Sequence, residues 1–140
     1  MTTTYLDYTI TDDPSLIDFE RVHAWLSNTY WSPGIERAKV ERAARHSSLV
    51  IGAYLGDEQA GYMRVISDRT TFGYFSDVYV DTAHRRRGLA TAMVNFVLAH
   101  PEHQGLRNWL LITADAQDVY RQCGFDLFPH PERIMNLRPK

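Results

Sequence analysis

The sequence predicts one mixed α/β (α+β) domain spanning residues 1–140, a central sheet flanked by helices. Three observations predict it. Segments 48–55, 60–67 and 73–80 are rich in β-branched and aromatic residues and are separated by short turns, so they read as three antiparallel strands in series. Apolar residues recur at helical spacing before and after them. The nearly continuous apolar run "WLLIT" at 109–113 has the pattern of a strand buried on both faces.

Composition limits the function classes. A chain of 140 residues, 44% of them hydrophobic, suits one core. A formal net charge of −2 argues against a general binder of nucleic acid or anionic membrane, so any basic site must be local. Cys123 is the one cysteine and has no internal disulfide partner, which points to a reducing compartment. The start "MTTTYLDYTI" lacks a basic region followed by an apolar stretch, and no apolar run is long enough to cross a bilayer. The expected setting is the cytoplasm.

In order, "LDYTI" (6–10) reads as a first strand. Asp13 before Pro14 is a helix start, an oxygen cap followed by proline at the first helical position. Leu16, Phe19, Val22 or His23, and Leu26 then carry a helix to about residue 28. "YWSPG" (30–34) is a loop, and 35–46 is a helix of good formers with a small apolar face, where Glu41 and Arg45 are spaced to pair. After the three strands, 88–99 reads as a helix burying Leu89, Met93, Phe96 and Val97. "HPEHQG" (100–105) breaks it. A fourth helix, 115–123, is closed by Gly124, and "FDLF" (125–128) and "RIMNLR" (133–138) are candidate closing strands.

The most unusual stretch is "DTAHRRRGLATAMV" (81–94), three arginines directly before a glycine and a helix. A helix start aims free N–H groups and the positive end of its dipole at the preceding loop. Gly88 lacks a Cβ and Ala90 is small, so an anion can approach the backbone. Arg85, Arg86 and Arg87 suit phosphate, although such a run is also an ordinary solvated surface. It is neither a P-loop, lacking Lys-Ser/Thr after the glycine, nor a dinucleotide fingerprint, having one glycine instead of three.

The segment "SDVYVDTAHRRRGLATAMV" resembles the signature of the GCN5-related N-acetyltransferases, the GNAT superfamily. Arg85, Gly88 and Ala90 meet its Arg/Gln-x-x-Gly-x-Gly/Ala pattern. "DAQDVYRQCGF" resembles a second element of that family, with Tyr120 four residues before Gly124 and Phe125. The resemblance covers essentially the whole chain and implies a mostly antiparallel sheet in which the fourth and fifth strands, as counted from sequence, splay apart. It implies acetyl-CoA as cosubstrate, no metal, and transfer of the acetyl group to an amine by direct attack. The pantetheine arm would lie along Val78, Tyr79 and Val80. The pyrophosphate would sit on Arg85, Arg86, Arg87, Gly88, Leu89, Ala90 and Thr91.

Two positions depart from the family pattern. Arg86 stands where glycine is common, which the loop accommodates if its φ stays negative. Thr113 stands where asparagine is frequent, which removes a side-chain amide contact.

The implied chemistry needs a neutral amine and a stabilised leaving thiolate. Neutralising an alkyl amine of pKa about 10.4 at neutral pH costs about 4.6 kcal/mol without assistance. By the family match Tyr120 is the acid for the thiolate; a tyrosine packed on the sheet and bonded to backbone is the competing reading. Asp77 is the candidate base, with water and a structural carboxylate as alternatives. Strand alternation groups Phe75, Asp77 and Tyr79 on one face against Ser76, Val78 and Val80. Tyr30, Trp31 and Arg64 are candidate acceptor contacts.

A small-molecule amine is the expected acceptor, with an amino acid or a peptide N-terminus in the same class. No nucleic-acid or membrane partner is expected, and the final strand leaves a homodimer open. Two alternative functions are a non-catalytic acyl-CoA sensor and a phosphate- or RNA-binding domain. No metal site is expected at His100 and His103, which have proline between them and no further ligand in phase.

Overall fold

Six strands pair in the order in which the chain makes them: β1 (Thr2–Tyr5), β2 (Tyr8–Thr11), β3 (Leu49–Leu55), β4 (Glu58–Ser67), β5 (Phe72–Val80) and β6 (Asn108–Leu110). The first five are antiparallel and β6 runs parallel to β5. A parallel neighbour needs a crossover, and α3 (Leu89–Leu98) supplies it. The remaining helices are α1 (Phe19–Leu26), α2 (Arg37–Arg45) and α4 (Gln117–Arg121). The computed structural model describes residues 1–139. Among them no helix is long and apolar enough to cross a membrane.

Each face of the sheet carries its own core. Leu49, Ile51, Met63, Val65 and Phe75 pack with Leu89, Met93, Phe96 and Val97 of α3. Val50 and Tyr62 pack on the opposite face with Val22, Trp25 and Leu26 of α1 and Val40 and Ala44 of α2. Ile51, Met63 and Met93 are fully buried; burial of such a side chain stabilises the fold by about 1.5–3 kcal/mol. The expected buried face of α3 is present, with Val94 added.

Several elements differ from the sequence reading. Segment 6–10 is not one strand. Leu6 turns with φ 50°, and the threonine-rich start forms β1 of a hairpin with β2. Asp13 caps only a 3₁₀ turn, Pro14–Leu16, through Ser15 N. The helix proper starts at Phe19, capped by Asp18 through Arg21 N, because Ile17 and Asp18 are extended between the two turns. Leu16 is accordingly exposed. Glu41 pairs with Arg37 rather than Arg45.

β6 is shorter than 109–113 and is not buried on both faces, since it ends the sheet and leaves Ile112 exposed. Segments 125–128 and 133–138 form no strand. Pro129 and Pro131 interrupt the chain between them, and a 3₁₀ turn, Pro131–Arg133, stands there instead.

The register of β5 contains the feature that matters most for the site. Tyr79 pairs with Tyr62 and Ser76 with Arg64, so Asp77 and Val78 together oppose Met63. This is a β-bulge, and Asp77 takes the left-handed conformation with φ 55°. One extra residue reverses the alternation beyond it. Phe75, Val78 and Val80 face the α3 side, and Tyr79 joins the core under α1. The face grouping read from simple alternation is therefore wrong past Ser76.

Candidate active site

β5 and β6 pair only at Phe72 with Asn108, Gly73 with Trp109 and Tyr74 with Leu110. β5 then runs on to Val80 with no partner on that side, and the two strands part in a V. Asp81 N–H bonds the Ala60 carbonyl at 2.8 Å. Ladder alternation therefore aims the amide groups of Val80 away from β4 and into the gap. The Val80 carbonyl accepts from Arg85 Nε at 2.9 Å, and the Arg85 guanidinium lies 5.3 Å over the Tyr79 ring. Tyr79 in turn stacks on Trp25, ring centroids 5.2 Å apart.

The open end of the V leads to the start of α3. Gly88 caps the helix at φ 78°, and no side chain bonds the first amides. The N–H groups of Leu89, Ala90 and Thr91 have no intrahelical acceptor by geometry, so they are free to meet an anion. A Cβ at Gly88 would lie 2.5 Å from the Tyr5 hydroxyl, so another residue there must displace that side chain as well as hold a positive φ. That hydroxyl donates to the Arg87 carbonyl at 2.6 Å and clamps the loop to the hairpin.

The three arginines are not equivalent. Arg85 folds back on β5. Arg87 Nη1 donates to the Tyr8 hydroxyl, which lies 2.9 Å from His84 Nδ1 in the interior. Arg86 is exposed and engages no side chain or carbonyl among the described residues. Its φ is +64°, not negative as expected. The loop keeps the conformation that glycine would adopt freely and holds an arginine in it.

Tyr120 sits on α4 against this region, nine-tenths buried, and lines a cleft of about 750 Å³ with Leu111, Thr113 and Gln117. Burial, then the nearby Tyr30 and Cys123, pushes its phenol up to about 12. Its hydroxyl bonds no other described group, contrary to what a purely structural tyrosine bonded to backbone would show. The hydroxyl of Thr113 accepts from Ala116 N–H at 3.1 Å, so that side chain braces the start of α4.

Residues between α1 and α2 form a strap across the gap. The Tyr30 hydroxyl accepts from Ala114 N–H, beyond β6, at 3.0 Å. Trp31 Nε1 donates to Asp77 Oδ1, on β5, at 2.9 Å. The second carboxylate oxygen of Asp77 accepts from Arg64 Nε at 2.7 Å. The structure thus brings Tyr30, Trp31, Arg64 and Asp77 into one constellation. Arg85, Arg86, Arg87 and Gly88 lie at the far end of the same gap.

Tyr5 and Tyr8, which hold the arginine loop, escape sequence reasoning. Their partners lie 82 and 79 residues away, and no local pattern marks them. A further cluster, Glu58, Asp81 and His84, has the makings of a cation site. Arg21 Nη2 stands between the two carboxylates, 2.8 Å from each, and takes up their charge.

The model of the acetyltransferase (GNAT) family matches residues 13–125, from the turn before α1 through the Gly124-Phe125 pair. This chain belongs to the GNAT family of acetyltransferases. Other GNAT proteins agree with it in structure. A GNAT-family protein from Xanthomonas campestris superposes with a TM-score of 0.91 at 38% identity, covering 97% of this chain and 96% of that one. A GNAT-family acetyltransferase from Streptococcus pneumoniae gives 0.72 at 19% identity over 100% and 98% of the two chains, a likeness of fold. In sequence, a Gibberella zeae protein, an acetyltransferase by name, is 27% identical over 81% of this chain and 76% of that protein.

Proposed function

We propose that this GNAT protein transfers an acetyl group from acetyl-CoA to a primary amine of a small molecule, amino acid or peptide N-terminus. The observation that carries the reading is the parting of β5 from β6, followed along the chain by the uncapped start of α3. An elongated ligand with a diphosphate at one end fits that arrangement. The backbone of Val78, Tyr79 and Val80 would hold its arm. The amides of Gly88, Leu89, Ala90 and Thr91, with the unengaged Arg86, would hold its phosphates. Acetyl-CoA supplies an acyl thioester there, which an amine attacks directly.

Direct attack is supported by the setting of Cys123, the one cysteine. Burial pushes the Cys123 thiol up, and its Sγ is turned toward the Thr91 and Val119 carbonyls. Tyr120 is the acid. With a phenol near 12, it stays protonated at neutral pH and always has a hydrogen to offer. Full transfer to a thiolate of pKa about 8.5 is uphill by several kcal/mol. Tyr120 therefore acts by hydrogen-bonding the departing sulfur, and solvent completes the protonation.

Asp77 meets the amine end from the Trp31 side. To accept a proton it must release Trp31 or Arg64, so we assign it the orientation of that pair and the attraction of the incoming ammonium. Water admitted beside the strap removes the amine's proton. Tyr30 and Trp31 form the roof over the acceptor.

Calorimetric titration with acetyl-CoA, followed by thiol release across a panel of amines, tests the reading. Tyr120→Phe is expected to bind acetyl-CoA as the wild type does and to lose about 10²-fold in kcat, the low end of general-acid effects. An unchanged kcat would make the protein a sensor rather than a catalyst. Absence of coenzyme binding, with salt-sensitive binding of RNA instead, would favour a nucleic-acid role for the arginines.

A further inference from the structure

The helices on the α1 side of the sheet cover only part of it. From the strands, Val50 of β3, Tyr62 of β4 and Tyr79 of β5 make up the core beneath α1 and α2. Below the bulge at Asp77, toward the start of β5, the same face continues without them. Val65, Phe75 and Trp109 pack under α3, so alternation turns Arg64 and Ile66, Tyr74 and Ser76, and Leu110 to the α1 side. The register sets them side by side: Arg64 pairs with Ser76, Ile66 with Tyr74, and Tyr74 with Leu110.

This row is open. Ile66 is 47% exposed and Phe72, at its foot, 39%, although Val65 and Phe75 on the other face of the same strands are buried. Single exposed apolar residues are ordinary, but a contiguous row of them marks a binding surface.

Position, charge and shape identify the occupant. The row begins at the Arg64–Asp77 pair, to which Trp31 is bonded and to which the acetyl-transfer reading brings the amine. Arg64 and Asp77 offset each other's charge at 2.7 Å. From there to Phe72 the described residues that face this way carry no other carboxylate or basic group. A second charge on a ligand would be laid on apolar surface with nothing to meet it, which is costly. Phe72 and Tyr74 offer rings along the row, and Tyr30 and Trp31, packed edge to face, stand at its head. Aromatic groups favour a flat partner that stacks on them or meets their edges. The four steps from Phe72 to Ser76 span about 13 Å, room for one ring system on a short arm.

We propose that this open sheet face selects the acceptor, a monoamine with a flat apolar body. The amine lies at the Arg64–Asp77 pair and the ring along Ile66, Tyr74 and Leu110. Ile66 and Tyr74 are then specificity-determining residues. The reaction they serve rests on the acetyl-transfer reading, whereas the surface itself is read by binding alone.

Two measurements on the full chain test the proposal. Calorimetry in the presence of coenzyme A reads amine binding without turnover. 2-Phenylethylamine is expected to bind at least about tenfold more tightly than ethylamine, hexylamine or 1,4-diaminobutane. Thiol release from acetyl-CoA should show the same order in kcat/KM, with phenylalanine, which adds a carboxylate, also at least about tenfold below 2-phenylethylamine. Ile66→Asn and Tyr74→Ser are each expected to bring the ratio of 2-phenylethylamine to ethylamine within about threefold. Coenzyme A affinity equal to the wild type's shows that the variants are folded. Equal binding of 2-phenylethylamine and ethylamine overturns the proposal. So does a preference for hexylamine, diaminobutane or phenylalanine, or a ratio that neither variant lowers. Selective binding of 2-phenylethylamine with no thiol release from any amine upholds the surface and overturns the acetyl-transfer reading instead.

Discussion

Arg64 and Asp77 meet at 2.7 Å on the α1 side of the sheet because the bulge in β5 turns the carboxylate to that face. Both side chains are largely buried, 17% and 9% exposed. Removing one partner of such a pair leaves a charge without compensation, at a cost of about 3 kcal/mol. Asp77→Ala is expected to lose about that much in urea unfolding. Adding Arg64→Ala should recover at least about 1 kcal/mol, a coupling read from the double-mutant cycle. Asp77→Asn keeps an acceptor for Trp31 and should raise KM for the amine more than it lowers kcat. A kcat loss of a hundredfold or more would return the base role to Asp77.

Gly88 answers to two constraints that can be separated. Gly88→Ala meets both the Tyr5 hydroxyl and an unfavourable φ of +78°. Tyr5→Phe/Gly88→Ala removes the first and leaves the second. Measured against Tyr5→Phe, which already lacks the hydroxyl bond to Arg87, Gly88→Ala is expected to cost only the backbone penalty of about 1–2 kcal/mol, less than it costs in the wild type. Thermal melts give the stabilities. Acetyl-CoA titrations should show weak binding in both variants, since both distort the amides at the start of α3.

Arg86 holds a positive φ that favours glycine, and its guanidinium is free. Arg86→Gly is expected to leave stability within about 1 kcal/mol, relief of the backbone being offset by the added freedom of the unfolded chain. Arg86→Ala keeps the strain. Both should weaken coenzyme A about tenfold, about 1.4 kcal/mol, with a smaller salt dependence than the wild type. Arg87→Ala should instead lower the melting temperature, because it removes the partner of Tyr8.

Tyr54, Tyr62 and Tyr120 are all raised by burial above the ordinary 10. Between pH 10 and the higher folded values the native state keeps protons that the unfolded chain has released. Stability is therefore complete below about pH 10 and falls as pH rises past it. Three such groups give a slope approaching ~4 kcal/mol per pH unit. Denaturant midpoints from pH 8 upward, alongside tyrosinate absorbance, check this. Removing the buried hydroxyl of Tyr62, which has no hydrogen-bond partner, should flatten the slope by a third.

The parts of the fold legible in the sequence were those set by local pattern. The strands at 48–55, 60–67 and 73–80 and the buried stripe of α3 follow from periodicity, and the arginine loop follows from a glycine at a helix start. The N-terminal hairpin was hidden because threonines at residues 2–4 look like an unstructured start until β2, itself held by β3, offers them an edge. The bulge at Asp77 was hidden because the extra residue carries no signature such as glycine, and missing it reversed the predicted faces of Asp77 and Tyr79. At the site, residue identities were readable and relationships were not. Nothing near Trp31 in sequence announces a bond to Asp77, 46 residues on. The closing strands failed for a different reason: their pattern is present, but Pro129 and Pro131 interrupt the chain between them and neither segment joins the sheet.

The stacked column of Arg85, Tyr79 and Trp25 links the arginine loop to an indole buried under α1. Whatever draws the guanidinium toward a phosphate uncovers the phenol and changes the field around the indole two rings away. With Trp31 and Trp109 replaced by phenylalanine, Trp25 is thus a built-in fluorophore reporting on the loop. Its emission offers an optical titration of loop occupancy, with neither dye nor label.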